Sequence, residues 1–306
     1  MTHWLLALPF AVLAVYSAFS AFKYTRLISN IFMGLVYKPS WRPSSSRGEK
    51  MSILDSSDRE ILALCAGEGR GGKLAVFCHE SGQGKESWER YAAFLVDAGW
   101  RVLSFDFDEK EDSGADNPLS QWPDDKDVER LLTAVRWAKK AYAPAGPLVL
   151  FGVSKGANVA LGASARMPMP CVVVADGLFS MKEIFRDYIR KWAPILVKPN
   201  LFGEHYPGWV VNLFTELGFW HCQRRSGKKF IDVESSLRGA HAPLLMIHGE
   251  ADDYVPASHQ KFLQRLPRGT ASHWTASGAG HNEAAIVGRG VYEEKILDFL
   301  NQASPA

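Results

Sequence analysis

Leu148-Val149-Leu150-Phe151-Gly152-Val153-Ser154-Lys155-Gly156-Ala157 is the stretch on which the fold turns. Its first six residues form an apolar run of strand length and Ala157 to Arg166 reads as a helix, so Ser154 falls on a strand-to-helix turn. Gly152 and Gly156 flank the serine in a Gly-x-Ser-x-Gly pattern, and glycines permit the strained backbone that would thrust a hydroxyl outward. The N–H groups opening the following helix would face a developing negative charge. Such a pentapeptide recurs by chance, so its weight comes from its surroundings.

Outward from that turn, apolar runs alternate with amphipathic ones. Ile61 to Ala66, Leu74 to Cys78, Val102 to Phe105, Cys171 to Ala175 and Leu244 to Ile247 read as further strands, with a last one around Ser272 to Thr275. Between strands, Trp88, Tyr91, Ala92 and Leu95 share one helical face, as do Val128, Leu131, Leu132 and Val135. This alternation predicts an α/β domain with a mainly parallel central sheet and helices on both faces.

His248-Gly249-Glu250-Ala251-Asp252-Asp253-Tyr254-Val255-Pro256 resembles the HGxxDxxVP element of the α/β-hydrolase superfamily, and Gly278-Ala279-Gly280-His281 resembles its Gly-His loop. The order Ser, Asp, His is the one expected of that fold. The resemblance covers the chain from about Met51 to its end. It implies a serine hydrolase with Ser154 as nucleophile, Asp252 as the acid and His281 as the base; Asp253 and Asp176, at the end of the Cys171 strand, are the rival acids. A serine hydroxyl is a poor nucleophile near neutral pH, so His281 would take its proton and return it to the leaving group. The acid would fix the imidazole tautomer and stabilise the imidazolium.

His79-Glu80-Ser81-Gly82-Gln83-Gly84 resembles the family's loop after the third strand, where relatives carry His-Gly. By that analogy the N–H groups of Glu80 and Lys155 form the oxyanion hole. Glu80 stands in place of the glycine, and a carboxylate there would oppose the developing charge unless neutralised, so we expect Lys155 to pair with it. His248 is expected to be structural. The chemistry requires no metal or organic cofactor.

Some sixty residues separate the strands at Cys171 and Leu244, far beyond an ordinary crossover, which predicts an inserted helical cap over about 181–241. Met181, Phe185, Tyr188 and Trp192 make one apolar stripe there, and Tyr206, Trp209, Val210, Leu213, Phe214 and Leu217 a second. These stripes either seal the cap or line an apolar substrate pocket. At the other end, Trp4 to Phe22 carries no charge and has about the length needed to cross a bilayer core. Residues 1–37 are therefore expected to be a single-pass membrane anchor, with a cleaved signal peptide as the rival, and 38–50 a Pro/Ser/Arg-rich linker to a hydrolase domain over 51–306. Lys23, Arg26, Lys38 and Arg42 follow the apolar run and would leave that domain on the cytoplasmic face. Leu27, Ile28, Ile31, Phe32 and Leu35 recur at helical spacing, as in a helix lying in the interface or packing on the domain.

Composition excludes little: 306 residues with 22% charged and 47% hydrophobic are ordinary globular material. A net charge of +2 argues against a nucleic-acid partner. Cys65, Cys78, Cys171 and Cys222 lack metal-site spacing and are expected to be buried thiols. The expected substrate is a small or lipid-like ester with an apolar or acyl group. Thioester hydrolysis or acyl transfer is the alternative, suggested by Ser-Lys-Gly at the elbow, and the same three residues would serve an amidase, a peptidase or, catalytically silent, a binding protein.

Overall fold

The apolar runs pair into a single sheet in a computed structural model that describes residues 3–35, 41, 47–107, 121–198, 200 and 202–303. Its strands are β1 (Glu49–Leu54), β2 (Glu60–Ala66), β3 (Leu74–Cys78), β4 (Arg101–Phe105), β5 (Leu148–Val153), β6 (Cys171–Asp176), β7 (Leu244–Gly249) and β8 (Ala271–Ala276), in the order β1-β2-β4-β3-β5-β6-β7-β8. The pairs β1–β2 and β2–β4 are antiparallel and every other pair is parallel. The mainly parallel sheet is thus as expected. β1 went unread because its alternation is weak: Glu49, Lys50, Ser52 and Leu54 face solvent. It begins inside the stretch taken for a linker, whose residues 38–40 and 42–46 lie outside the described ones.

Both sheet faces are covered, as the period-2 geometry of a strand requires when every residue is apolar. On β5, Leu148 and Leu150 enter one core while Val149, Phe151 and Val153 enter the other. The first core is closed by α3 (Asp125–Tyr142) and α4 (Lys155–Ser164) through Val128, Leu131, Val159 and Leu161. The second is closed by α2 (Trp88–Asp97) and α7 (Arg289–Ala303) through Trp88, Tyr91, Tyr292 and Ile296. All four cysteines are buried thiols.

The chain divides into two compact units. Val36–Ser180 and Lys229–Ala306 make the sheet unit. Met1–Leu35 and Met181–Lys228 make a helical unit. It contains α1 (His3–Met33), α5 (Met181–Leu196) and α6 (Gly208–Ser226). Within it Phe32, completely buried, lies 4.8 Å from Phe185 between ring centroids. The Ser29 hydroxyl donates to the Gly218 carbonyl at 3.3 Å, and Tyr24 bonds both backbone groups of Lys198. The stripe through Ile28 and Phe32 is therefore a packing face.

A membrane-crossing helix was expected over Trp4–Phe22. Those residues fall within α1, but among the described residues no helix is long and apolar enough to cross a membrane. The side chains of residues 3–7 and 13 lie outside the described ones. Beyond that stretch α1 buries polar Thr25 and Ser29, and Ser29 bonds α6, the behaviour of a helix in a bundle. With no such span among the described residues, nothing in the structure places the hydrolase domain on the cytoplasmic face.

Candidate active site

Ser154 sits where β5 passes into α4, at φ 51° and ψ −112°, a conformation that a residue with a side chain adopts only when its surroundings force it. Its N–H donates to the Asp176 carbonyl at 2.7 Å, which ties the turn to the end of β6. The flanking glycines are needed for space. A Cβ on Gly152 would stand 2.2 Å from the Gly156 carbonyl oxygen, and one on Gly156 would stand 2.0 Å from that of Cys78.

His281 and Asp252 lie on the loops that follow β8 and β7. Those loops are stitched together: Glu250 N–H donates to the Ala276 carbonyl and Ala251 N–H to the Ala279 carbonyl, each at 2.9 Å. Gly249 allows the approach, since a Cβ there would meet the Ala279 oxygen at 2.3 Å. The result is a relay. Ser154 Oγ lies 3.0 Å from His281 Nε2, and His281 Nδ1 lies 2.8 Å from Asp252 Oδ2. The other oxygen of Asp252 accepts the N–H groups of Tyr254 and Val255 at 2.8 and 2.7 Å, which locks the carboxylate in place. The Tyr254 ring stacks obliquely on the imidazole, 5.1 Å between centroids. This is the arrangement needed to move a proton off a serine hydroxyl.

The rival acid Asp176 is buried nearby and turned to a different partner, accepting from the Tyr292 hydroxyl at 3.0 Å. Burial pushes its carboxyl up to about 7, against the pull of that hydrogen bond. His248 is also fully buried, and neither ring nitrogen has a hydrogen-bond partner among the described residues. Burial holds its imidazole down to about 4, so it stays neutral.

Around the expected oxyanion hole the ion pair foreseen is replaced. Lys155 Nζ lies 3.1 Å from Asp127 and 4.7 Å from the centre of the Phe107 ring, buried with both. Asp127 is itself fixed by the box that caps α3, where its carboxylate accepts the Asp124 N–H at 3.0 Å. Glu80 instead accepts from Ser87 Oγ at 2.9 Å and from Tyr91 OH at 3.0 Å, and burial raises its carboxyl above the usual range. Lys155 had a nearer, pre-ordered anion, so Glu80 is satisfied by neutral hydroxyls. Asp127, Ser87, Tyr91 and Tyr292 were missed as site residues. Tyr91 was read for its ring on an apolar face, and nothing in a local pattern shows where a phenol oxygen ends up.

With this geometry in view, residues 75–288 match the model of the Alpha/beta hydrolase family, and the chain belongs to that family. The uncharacterized protein Rv2307c of Mycobacterium tuberculosis is 25% identical over 51% of this chain and 46% of its own length. The matched stretch thus spans about half of that relative. Among solved structures, the Pyrococcus furiosus esterase Pf2001 superposes with TM-score 0.62 at 19% identity, over 88% of this chain and 99% of its own. A membrane phospholipase A described as a bacterial virulence factor gives TM-score 0.55 at 20% identity, over 99% of each chain. These likenesses establish the fold.

Proposed function

We propose that the protein is a serine hydrolase that cleaves a carboxylic ester carrying an apolar or acyl group. Ser154 attacks the ester carbonyl while His281 takes its proton. The tetrahedral intermediate collapses as His281 hands that proton to the leaving alcohol, and water then releases the acyl group from Ser154 by the same path. Asp252 holds the imidazole, and the N–H groups of Glu80 and Lys155 receive the oxyanion, each such donor contributing on the order of 3 kcal/mol of transition-state stabilisation. The observation that carries this reading is the unbroken relay of 3.0 and 2.8 Å from Ser154 through His281 to Asp252. The apolar substrate class rests on the aromatic helical insertion and on an esterase and a phospholipase among the structural neighbours. The protein's membrane partner is met through the surface of the helical unit.

A fluorophosphonate probe labels the wild type and spares Ser154→Ala; well-folded wild type that stays unlabelled would refute the reading. Comparing p-nitrophenyl esters of graded chain length with acyl-CoA and aminoacyl anilides then sets the bond type. A preference for acyl-CoA would move the assignment to the thioesterase or acyltransferase class, and one for anilides to amidases.

A further inference from the structure

The helical unit has more apolar surface than its own packing uses. Of the eighteen large apolar side chains exposed among the described residues, thirteen fall in this unit, well under a third of the chain. On α6 the buried face is Val211, Thr215, Phe219 and Cys222, which leaves Trp209 67%, Leu213 48% and Trp220 57% exposed. A monomer seldom leaves so many large apolar groups together in water without a use for them.

The same unit is basic. It holds ten lysines and arginines against four acids, a net +6 in a chain whose total is +2, so the sheet unit is at −4. Lys23, Arg26, Lys191 and Arg224 each lie over an aromatic ring, those of Tyr24, Phe22, Trp192 and Trp220. Long cations over aromatic rings, beside exposed Trp and Leu, suit a lipid headgroup boundary.

Between α1, α5 and α6 lies a cavity of about 480 Å³. It is within the range of about 300–1,000 Å³ typical of ligand sites. Its walls are apolar (Tyr24, Ile189, Ala193, Trp209 and Leu213 among them), and the exposed Lys198 stands among its lining residues. An apolar slot beside a cation matches one chemistry: a long acyl chain with an anionic head.

We propose that this cavity binds one acyl chain of an anionic phospholipid, so that the helical unit docks the enzyme on the surface of an anionic leaflet. This deepens the membrane contact stated above and is independent of the reaction at Ser154. The net +6 of the unit argues for a charged leaflet over a second copy of the same basic face, which would repel its like.

The full chain bearing Ser154→Ala, which cannot turn lipid over, is sedimented with vesicles of phosphatidylcholine alone or mixed three to one with phosphatidylglycerol. We expect at least ~10-fold tighter binding to the mixed vesicles, most of it lost in 0.5 M salt. Lys198→Glu, at an exposed position, should weaken that binding ~5-fold or more. Brominated acyl chains should quench Trp209, measured against Trp209→Phe, and Ala21→Phe, which narrows the cavity, should abolish that quenching at unchanged melting temperature. Equal binding to both vesicles, or quenching untouched by Ala21→Phe, would overturn the site. Quenching by monomeric brominated fatty acid without vesicle binding would overturn the leaflet as its source, and a dimer that shields Trp209 from an aqueous quencher would assign the face to a second copy. Turnover of p-nitrophenyl butyrate by wild type and by Ala21→Phe reports separately on the ester-cleaving reading.

Discussion

The two units treat apolar residues in opposite ways. In the sheet unit every residue of β3, β5, β6 and β7 is buried, because helices cover both faces. In the helical unit α6 buries a stripe that includes Thr215 and Cys222 and presents Trp209, Leu213 and Trp220 to solvent. Charge divides the same way, −4 against +6. The difference teaches that hydrophobicity is a dependable sign of burial only where the architecture encloses both sides. Where it does not, surplus apolar surface is better read as a surface with a use.

The comparison breaks most sharply at the chemistry, which we assign wholly to the sheet unit. Ser154→Ala should lower kcat/KM by roughly a million-fold with the melting temperature unchanged, because the nucleophile acts as one unit with its base. A loss of only ~10-fold on a soluble ester would place the reacting group elsewhere. Asp252→Asn should cost roughly 10,000-fold in kcat by favouring the wrong imidazole tautomer, whereas Asp176→Asn should leave turnover within ~10-fold. Steady-state kinetics on the pair decides which acid serves His281.

The buried groups of the sheet unit predict opposing pH dependences of stability. Asp176 is raised from 3.8 to about 7, so the folded state holds its proton more firmly than the unfolded chain. Its contribution is complete below pH 3.8 and is lost as pH rises to about 7, on the order of 4 kcal/mol. His248 is depressed from 6.5 to about 4, so the unfolded chain takes a proton first. Stability therefore falls as pH drops from 6.5 to 4, on the order of 3 kcal/mol. In the wild type the two slopes partly cancel. Urea titrations at pH 4, 5.5 and 7 should show stability rising with pH in Asp176→Asn and falling with pH in His248→Phe; parallel curves would refute both assignments.

Within the helical unit the contrast is between two faces of one helix. Phe219, buried with its ring centroid 6.4 Å from that of Phe185, should cost about 3–5 kcal/mol when cut to Ala. Trp209→Ser on the exposed face should change stability by no more than about 0.5 kcal/mol. If denaturant melts give the two equal costs, the exposed face is in fact covered.

How much of this was legible is clearest at particular residues. Ser154 stood out because a strand, two glycines and a helix are contiguous, and Asp252 and His281 because each lies in a short motif. The close approaches behind those motifs, Gly156 against Cys78 and Gly249 against Ala279, were not visible as such, but their glycines were. Lys155 was noticed and given the wrong partner, since Glu80 and Asp127 are equally plausible anions in a linear chain. The stripe of Tyr206, Trp209, Val210, Leu213, Phe214 and Leu217 was read as a sealing or pocket-lining face; all but Leu217 line the cavity of the helical unit, while Trp209, Leu213 and Leu217 stay exposed.

By itself the sequence determined the strand and helix alternation, the family and the three residues of the relay, because each is written in contiguous residues whose spacing is set by backbone geometry. Only the tertiary structure decided which carboxylate meets Lys155, that Tyr91 and Tyr292 hold Glu80 and Asp176, and which face of α6 is covered. Those outcomes depend on distances between segments far apart in sequence, 116 residues for Asp176 and Tyr292 and 189 for Ser29 and Gly218, and on which neighbour reaches a polar atom or an apolar face first, information that no local periodicity carries.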